Sequence, residues 1–391
     1  MLRPPLPFTA GRRPPARFSP RRPFCMGSKV SEAASPAVPR FVRIGEKKVS
    51  RRTPSEEVRF RRRFKFRLVS YNILAQAYVK SSYFPHSPSP CLRWKARSQA
   101  ILTLLRSFEA DLLCLQELDE FDSFYRKNMQ SLGYSSIYIQ RSGLKRDGCG
   151  IFYKPTSAEL VLKEVIEYND LVDFVDPKNS DEEDRREDGE ILAEERSGDG
   201  NGRDPSDPRV RLKRDCVGIM AAFRLNDPSR HLVVVANTHI YWDPDWADVK
   251  LAQAEYLLSR LSRFKNSVCT EFCSAPSIIV AGDFNSTPGD AVYRFMVSED
   301  VVTAAAATTK PPVPLRSLYA SAGGEPPFTN CTPGFTGTLD YIFFSGSGRL
   351  RPIGLLQVPG PESPDVTGGL PNHRHPSDHL PIGGNFMLVD L

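Results

Sequence analysis

The sequence predicts an α/β fold with mixed sheets, on the basis of two observations. Apolar runs of strand length alternate along the chain with segments whose apolar residues recur at helical spacing. The predicted strands are joined by both helices and hairpin-like turns, without a continuous βαβαβ repeat, which favours mixed sheets. The 391 residues, of which 40% are hydrophobic and 25% charged, can form one large or two ordinary globular domains.

The elements follow from the apolar spacing. Residues 66–74 alternate and then become continuously apolar, which predicts the first strand, and ordered structure is expected to begin there. Helical spacing predicts helices over 92–108, 119–132, 247–264 and 290–297. Further strands are predicted at 111–116, 136–140, 149–153, 217–224, 231–238, 277–282, 338–344 and 380–387. No apolar run approaches the roughly 20 residues of a membrane span, so a transmembrane helix is excluded.

The net charge of +6 is distributed unevenly. Residues 1–67 hold 19 Lys and Arg against 4 Asp and Glu, a charge of +15, so residues 68–391 carry −9. Within them, residues 176–208 hold 13 acids and 5 bases, a charge of −8. The overall positive charge therefore reflects the first 67 residues and does not by itself indicate nucleic-acid binding.

This charge pattern predicts a tail, a catalytic domain and an insert. Residues 1–65 are interpreted as a basic, Pro- and Arg-rich disordered tail, and residues 66–391 as the domain. Residues 1–28 contain no acid and six arginines, so an organelle transit sequence is the alternative for that part of the tail. Residues 176–208 are acidic, Gly-rich and poor in aromatics, which predicts a disordered insert between two strands.

The cysteines indicate a reducing compartment. Eight are spread along the chain without a CxxC pair, and several lie in apolar runs. A reduced cysteine behaves there as a small hydrophobic residue. This usage is typical of proteins that do not form disulfides.

Polar residues stand where the apolar runs end. Because strands of one buried sheet end in the same layer, side chains at these ends can converge on one crevice. A single Asp or Asn after a strand is often a turn residue, but here the pattern recurs at six strand ends. The residues concerned are Asn72, Glu117, Asn237, His239, Asp283, Asn285, Asp340, Asp378 and His379.

The residue types in this set favour Mg²⁺, with Mn²⁺ as the alternative ion. Carboxylates and amides without a cysteine suit these hard cations better than Zn²⁺. Two such ions can clamp the attacking water and the leaving oxygen of a phosphodiester, and two histidines add hydrogen-bond donors. A competing hypothesis is a zinc site formed by His373, His375 and His379.

Several motifs resemble, in order, those of the endonuclease/exonuclease/phosphatase superfamily. Within it, they are most similar to the poly(A) nucleases of the carbon catabolite repressor 4 type, especially the plant members. The resemblance covers about residues 66–391. The motifs are Ser70-Tyr71-Asn72-Ile73-Leu74, Leu115-Gln116-Glu117, Asn237-Thr238-His239 followed by Trp242-Asp243-Pro244, Gly282-Asp283-Phe284-Asn285-Ser286, Leu339-Asp340-Tyr341-Ile342-Phe343 and Ser377-Asp378-His379-Leu380-Pro381.

The resemblance implies a four-layered α/β sandwich of two mixed sheets flanked by helices, with the site at one end. It implies that Glu117 holds Mg²⁺ with help from Asn72 and Asp378. Asp283 would orient or deprotonate the attacking water and lie near a second ion with Asn285. His379, held by Asp340, would donate to the scissile phosphate, and His239 would contact a non-bridging oxygen.

The resemblance also implies a binding site for the terminal adenine. Pro244 and Phe335 occupy the positions that hold this base in such enzymes, and an aromatic face stacks on any base. Asn330 would add a hydrogen bond to the edge of adenine. From the residues alone, Phe335 is equally consistent with a core aromatic.

We expect a Mg²⁺-dependent 3′-to-5′ exoribonuclease that shortens poly(A) and releases 5′-AMP. The alternatives are a nocturnin-like phosphatase acting on a small nucleotide such as NADPH and an inactive RNA-binding scaffold. Poly(A) RNA is the expected partner. Docking to a large deadenylation complex is doubtful, because the leucine-rich repeat of the founding members is absent. The resemblance implies a nuclear and cytoplasmic protein, and residues 1–28 leave a mitochondrial or plastid form open.

Overall fold

Two β-sheets form the centre of the protein in the computed structural model, which describes residues 35–44, 63–175, 207–297, 311–346 and 348–389. The strands are, in chain order, β1 Phe41–Arg43, β2 Lys65–Asn72, β3 Leu112–Gln116, β4 Ser135–Gln140, β5 Gly148–Tyr153, β6 Ala158–Glu167, β7 Val217–Leu225, β8 Leu232–His239, β9 Ser277–Asp283, β10 Arg316–Ser317, β11 Asn330–Thr332, β12 Phe335–Gly337, β13 Asp340–Phe344, β14 Leu350–Leu356 and β15 Ile382–Leu388.

The helices lie between these strands. The α-helices are α1 Ser89–Leu92, α2 Trp94–Ser107, α3 Arg126–Ser131, α4 Leu171–Val175, α5 Pro208–Arg211, α6 Ala247–Phe272 and α7 Ala291–Val297. Short 3₁₀ turns occupy Gln76–Tyr78, Tyr168–Asp170 and Ala320–Ala322, and a π-helical turn, Phe121–Tyr125, precedes α3. In the part of the chain that the structure describes, no helix has both the length and the apolar character to cross a membrane.

Both sheets are mixed, as the sequence predicts. The larger has the strand order β1-β14-β15-β2-β3-β5-β4, and the smaller has β10-β13-β9-β8-β7-β6. Each contains one parallel pair, β2 with β3 and β8 with β9, among antiparallel neighbours. A separate hairpin pairs β11 with β12.

Four layers follow from the way apolar faces are buried. The inner faces of the two sheets share one core, in which residues such as Leu112 and Phe386 meet Phe223 and Ile279. The outer face of the larger sheet packs against α2, and that of the smaller sheet against α6. The predicted four-layered α/β sandwich is therefore confirmed.

Most predicted elements form close to the predicted positions. The predicted helix over 247–264 continues to Phe272 and ends before Cys273, which has a left-handed φ of 47°. The helix predicted over 119–132 begins instead as the π-helical turn. Strands β1, β6 and β14, and the short strands β10 to β12, were not predicted. Three of them are edges: β1 ends the larger sheet, and β6 and β10 end the smaller. An edge strand is covered by a neighbour on one side only, and its apolar residues show weak spacing in the sequence.

The predicted start of ordered structure at Phe66 is wrong for part of the tail. Residues 35–44 are described, and within them β1 pairs with β14. The N–H of Ala37 also donates to the Arg374 carbonyl at 2.9 Å. This segment is held because it covers an open strand edge. Residues 1–34 and 45–62 lie outside the described residues, as do residues 176–206 of the predicted insert. The last two insert residues, Asp207 and Pro208, are described, and α5 begins at Pro208.

Candidate active site

The polar strand ends converge because of the register of both sheets. β2 and β3 are parallel and end side by side, at Asn72 and one residue before Glu117. In the other sheet, β8 and β9 are also parallel, with His239 opposite Asp283. β13 is antiparallel to β9 and starts where β9 ends, so Asp340 also lies opposite Asp283. These strands therefore bring their polar side chains to one end of the sandwich.

The side chain of Asn72 joins the two sheets at this end. It is fully buried, and its Nδ2 donates to Oε1 of Glu117 and to Oδ2 of Asp283, both at 3.0 Å. Its Oδ1 accepts the N–H of Leu74 at 3.0 Å, which fixes the amide. Carboxylates from different sheets therefore contact one nitrogen atom.

Glu117 leaves β3 in a conformation that non-glycine residues rarely adopt. Its φ is 52°, and its Oε2 accepts the N–H of Ala75 at 3.0 Å. Such conformations concentrate at functional sites. The pKa of Glu117 is raised to about 7, chiefly by burial and to a lesser extent by the nearby carboxylates of Asp378 and Asp147. The site therefore brings together carboxyl groups that are difficult to keep ionised at the same time without a cation.

His379 lies between two carboxylates. Its Nδ1 is 2.7 Å from Oδ2 of Asp340, and its Nε2 is 3.6 Å from Oδ2 of Asp283. Burial by itself lowers the pKa of His379, but Asp340 and Asp283 outweigh it and raise the pKa well above its ordinary value. Burial, together with Asp340, raises the pKa of Asp283. His379 is therefore a protonated donor at neutral pH.

His239 has the opposite electrostatic character. Its Nε2 is 3.5 Å from Oδ2 of Asp283, and its buried Nδ1 has no hydrogen-bond partner among the described residues. Burial lowers the pKa of His239 despite the attraction of Asp283.

Asn285, at a left-handed φ of 45°, donates its backbone N–H to Asp283 Oδ1 at 2.9 Å and its side-chain amide to the Ile240 carbonyl at 3.0 Å. All five predicted catalytic residues, including Asp340 and His379, thus lie in this one cluster.

The predicted base-binding residues lie on the β11–β12 hairpin and in the loop after β8. Asn330 is buried, and its Nδ2 is 3.4 Å from Oδ2 of Asp378. Phe335 is 42% exposed on β12, so a core role for this aromatic is excluded. Pro244 is exposed in the loop that leads from β8, which ends at His239, to α6.

Two residues to which the sequence analysis assigned no role hold the site loops together. Arg97 is 1% exposed, and its guanidinium donates to the carbonyls of Ile73, Leu74 and Pro376 at 2.8, 2.5 and 2.8 Å. Ser377 Oγ donates to the Asn72 carbonyl at 2.8 Å. The helical spacing of 92–108 places Arg97 among polar positions, so no sequence signal marks it as buried.

Asn237, predicted among the strand-end residues, has a structural role instead. Its Nδ2 donates to the carbonyls of Leu115 and Gly150, both at 2.9 Å, across the inter-sheet core. Its Oδ1 accepts from Gln116 Nε2 at 2.7 Å. This buried network ties the two sheets together below the site.

The donor atoms at the site fit a divalent cation. Among the described residues, Asp283, Asp340 and His379 have atoms of metal-ligating type within 4.8 Å of one another, although His379 can ligate an ion only without its proton. Of the ligands that the resemblance implies, this group includes Asp283 but not Glu117 or Asp378. Asp340 Oδ1 is buried there and has no hydrogen-bond partner in the described chain. Carboxylate oxygens crowded in this way are stabilised by a bound cation.

The structure does not gather the histidines of the zinc hypothesis. His373 is exposed, and His375 is buried with neither ring nitrogen hydrogen-bonded to a described residue. His379 belongs to the group with Asp283 and Asp340 instead. The zinc hypothesis is therefore rejected.

Comparisons with known proteins agree with this geometry. The chain matches the Endonuclease/Exonuclease/phosphatase family over residues 69–379. Carbon catabolite repressor protein 4 homolog 4 of Arabidopsis thaliana is 62% identical over 326 residues, which cover 83% of this chain and 78% of that protein. The CCR4-Not complex 3′-5′-exoribonuclease subunit Ccr4 of Schizosaccharomyces pombe is 28% identical over 83% of this chain. The chain spans about half, 49%, of that fungal protein.

Two solved structures share the fold. ANGEL2, a 2′,3′-cyclic phosphatase, in complex with adenosine-2′,3′-vanadate, has a TM-score of 0.65 and 25% identity over 90% of this chain and 98% of its own. The human Nocturnin catalytic domain with bound sulfate anion has a TM-score of 0.59 and 22% identity over the same shares, 90% and 98%. These matches confirm the resemblance that the sequence motifs predict.

Proposed function

The chain belongs to the endonuclease/exonuclease/phosphatase family, and on this premise we propose that it is a Mg²⁺-dependent 3′-to-5′ exoribonuclease that shortens poly(A) and releases 5′-AMP. Homologues of the Ccr4 exoribonuclease type support hydrolysis of a phosphodiester in general. The narrower choice of poly(A) rests on the residues around the site.

One observation carries the proposal: Asn72 Nδ2 contacts Glu117 and Asp283 at once, each at 3.0 Å. This joins the proposed metal ligand to the proposed general base, from opposite sheets, in a buried setting. A scaffold protein would gain nothing from burying such a costly set of carboxylates. An inactive RNA-binding role is therefore disfavoured.

We assign Glu117, Asn72 and Asp378 to hold one Mg²⁺, and Asp283 and Asn285 to hold a second, with Mn²⁺ as a substitute. The raised pKa of Glu117, caused by burial and the neighbouring acids, supports a site made for a cation. The ions would supply charge for the transferring phosphoryl group and lower the pKa of a water nucleophile.

The protein residues supply the remaining steps. Asp283 accepts the proton of the attacking water, a task that suits a carboxylate whose pKa is raised by burial and by Asp340. His379, protonated and held by Asp340 at 2.7 Å, donates from Nε2 to the scissile phosphate. His239 donates to a non-bridging oxygen as negative charge develops on it.

We assign recognition of the terminal adenine to the β11–β12 hairpin and Pro244. Phe335 presents an exposed ring on the β11–β12 hairpin for stacking on the base, and Pro244 is exposed in the loop after β8. Asn330 lies on the same hairpin and contacts Asp378 at 3.4 Å, which places it between base and metal ligand. A hydrogen bond from Asn330 to the adenine edge would distinguish adenine from the other bases.

The fold of ANGEL2, a 2′,3′-cyclic phosphatase, supports a second candidate. The same set of residues can remove a phosphate from a small nucleotide such as NADPH, because fold does not determine substrate. This candidate requires neither the exposed Phe335 nor a long binding surface.

The purified chain should be incubated with Mg²⁺ and, separately, an A20 oligonucleotide, a C20 oligonucleotide and NADPH. Shortening of A20 alone is the expected result. Loss of phosphate from NADPH with intact A20 would replace the nuclease by the phosphatase.

Glu117→Ala should abolish whichever activity appears, because it removes a metal ligand. Glu271→Ala is the matched control, because Glu271 is an exposed acid near the C-terminus of α6. It precedes Ser277, where β9 begins, whereas Asp283 lies at the other end of that strand. Near-normal turnover by Glu117→Ala would refute the metal assignment.

Localisation is a separate proposal. We propose a nuclear and cytoplasmic protein, with an organelle form dependent on residues 1–28 as the alternative. Fluorescent fusions with and without residues 1–28 distinguish these locations.

A further inference from the structure

Beside the site lies an aromatic and basic surface that the proposed chemistry does not use. We call it the rim and define it by Lys145, Arg214, Tyr241, Trp242 and Trp246. Three of these residues belong to the loop between β8 and α6, directly after His239.

The aromatic side chains of the rim form a connected series. The ring centroids of Tyr241 and Trp242 are 6.2 Å apart, and those of Tyr241 and Trp246 are 5.9 Å apart. Trp242 at the outer end is 62% exposed, although an indole of this size is normally covered. It therefore offers an open face on which a planar group can stack.

Cations lie along the same series. The guanidinium carbon of Arg214 is 4.1 Å from the Trp246 centroid and 5.3 Å from that of Tyr241. Arg211 also lies 4.1 Å from Trp246, but Asp248 binds it at 2.6 and 2.7 Å and neutralises it. Arg214 forms no ion pair with any carboxylate in the described ranges. Its charge is free for an anionic ligand.

The rim is fixed to the catalytic cluster from two directions. The N–H of Ile240, at the start of the loop, donates to the Asp283 carbonyl at 3.2 Å. Arg141 donates to the carbonyls of Asp215 and Arg214 at 3.0 and 3.2 Å, and its Nη1 is 3.7 Å from Asp147. Gly148, the residue after Asp147, accepts the N–H of Leu118, the residue after Glu117, at 3.0 Å. Lys145 is exposed in the same loop as Arg141, and its Nζ lies 6.0 Å from the ring centroid of Tyr78, whose hydroxyl donates to Asp147 Oδ1 at 2.5 Å.

We propose that the rim binds single-stranded RNA upstream of the terminal nucleotide, with a base stacked on Trp242 and phosphates against Arg214 and Lys145. Alternation of stacking faces and unpaired cations matches the alternating bases and phosphates of a single strand. The inference rests on the proposed function and deepens it, because it makes a polynucleotide the substrate. A mononucleotide in the catalytic cluster does not extend to the rim.

Binding tests the rim without catalysis. Fluorescence anisotropy of labelled A20 in EDTA should show about tenfold weaker binding for Trp242→Ala than for the unmodified chain, the loss expected when one stacked base is released. For Arg214→Ala, the dependence of log K on log salt should become shallower by about one unit. Arg263→Ala, which removes an exposed arginine on α6, should change neither quantity.

Hydrolysis in Mg²⁺ separates this inference from the proposed function. Trp242→Ala should raise KM for A20 about tenfold and leave kcat unchanged, because a lost stacking partner weakens binding without touching the catalytic cluster. Normal hydrolysis of A20 with equal A20 affinity in Trp242→Ala would overturn the rim and keep the nuclease. Binding of A20 that depends on Trp242, without RNA hydrolysis, would overturn the nuclease and keep the rim.

Discussion

At the scale of single residues, Asp340 determines the charge and orientation of His379. Its Oδ2 holds Nδ1 of His379 at 2.7 Å and favours the protonated ring. We expect Asp340→Asn to lower kcat on A20 by roughly 10² to 10⁴-fold with KM little changed, because the neutral amide no longer supports the imidazolium. Initial rates at pH 7 over a range of A20 concentrations measure both constants.

A double-mutant cycle shows whether Asp340 acts through His379. The variant His379→Gln removes the donor directly. If the two residues act as a unit, combining Asp340→Asn with His379→Gln should be no slower than His379→Gln alone. Losses that multiply would contradict this coupling.

His375 is a buried histidine that lowers the stability of the folded chain at acidic pH. It lines a cavity of about 380 Å³, and burial lowers its pKa to about 4. Since this value lies below the ordinary 6.5, the unfolded chain binds the proton first, and stability is lost as pH falls from about 6.5 towards 4. The loss between pH 7 and pH 5 should be about 2 kcal/mol.

We expect His375→Leu to remove most of this pH-dependent loss and to leave stability at pH 7 equal or higher, because neither ring nitrogen has a described hydrogen-bond partner. Urea unfolding at pH 7 and pH 5 measures both effects. An unchanged difference between the two pH values would show that His375 is already protonated in the folded chain.

At the scale of elements, the β11–β12 hairpin can be tested through its glycines. Phe335→Ala should raise KM for A20 by roughly tenfold, since one base loses its stacking partner. A Cβ on Gly337 would lie 2.8 Å from Cζ of Phe335, so Gly337→Ala should displace the exposed ring and weaken A20 in the same way. KM measurements on both variants test the hairpin's role.

Gly334 provides the control on the same hairpin. A Cβ there meets no atom within 4 Å, so Gly334→Ala should leave KM unchanged. Unchanged kinetics for Phe335→Ala would remove the ring from substrate binding. A loss in Gly334→Ala equal to that in Gly337→Ala would mean that the hairpin backbone, rather than the ring, determines affinity.

At the scale of the whole molecule, the segment 35–44 closes an edge of the larger sheet. β1 pairs with β14, and the Gln357 N–H donates to the Arg40 carbonyl at 2.8 Å. The Arg67 guanidinium lies 4.0 Å from the ring centroid of Phe41. Deletion of residues 1–44 should therefore cost about 2 to 4 kcal/mol relative to deletion of residues 1–34, from several lost hydrogen bonds of about 1 kcal/mol each and an opened edge.

Urea unfolding of the two truncated chains measures this difference. The rate on A20 per folded molecule should be equal in both, because β1 lies three strands from β2 in the larger sheet. Equal stability of the two truncated chains would mean that pairing of β1 with the sheet does not stabilise the fold.

Sequence patterns predicted those elements whose burial is complete. β3, β8 and β9 are apolar along their length and buried on both faces, so their sequences carry the signal alone. The half-covered strand β6 and the bulged strand β14, with Pro352 and Gly354 at its irregularity, carry no such signal. Their pairing is decided by neighbours that are distant in sequence.

The candidate site divides in the same way. The sequence by itself determined which polar side chains follow buried strands, because a strand's end is encoded locally by the loss of apolar spacing. Only the tertiary structure decided that Asn72 bridges Glu117 and Asp283, that Asn237 ties sheets together and that Arg97 is buried. The roles of Asn72 and Asn237 depend on the registers of separate strands, and a register is set by contacts between segments far apart in the chain. The burial of Arg97 depends on helix α2 meeting two loops, around residues 73–74 and at Pro376.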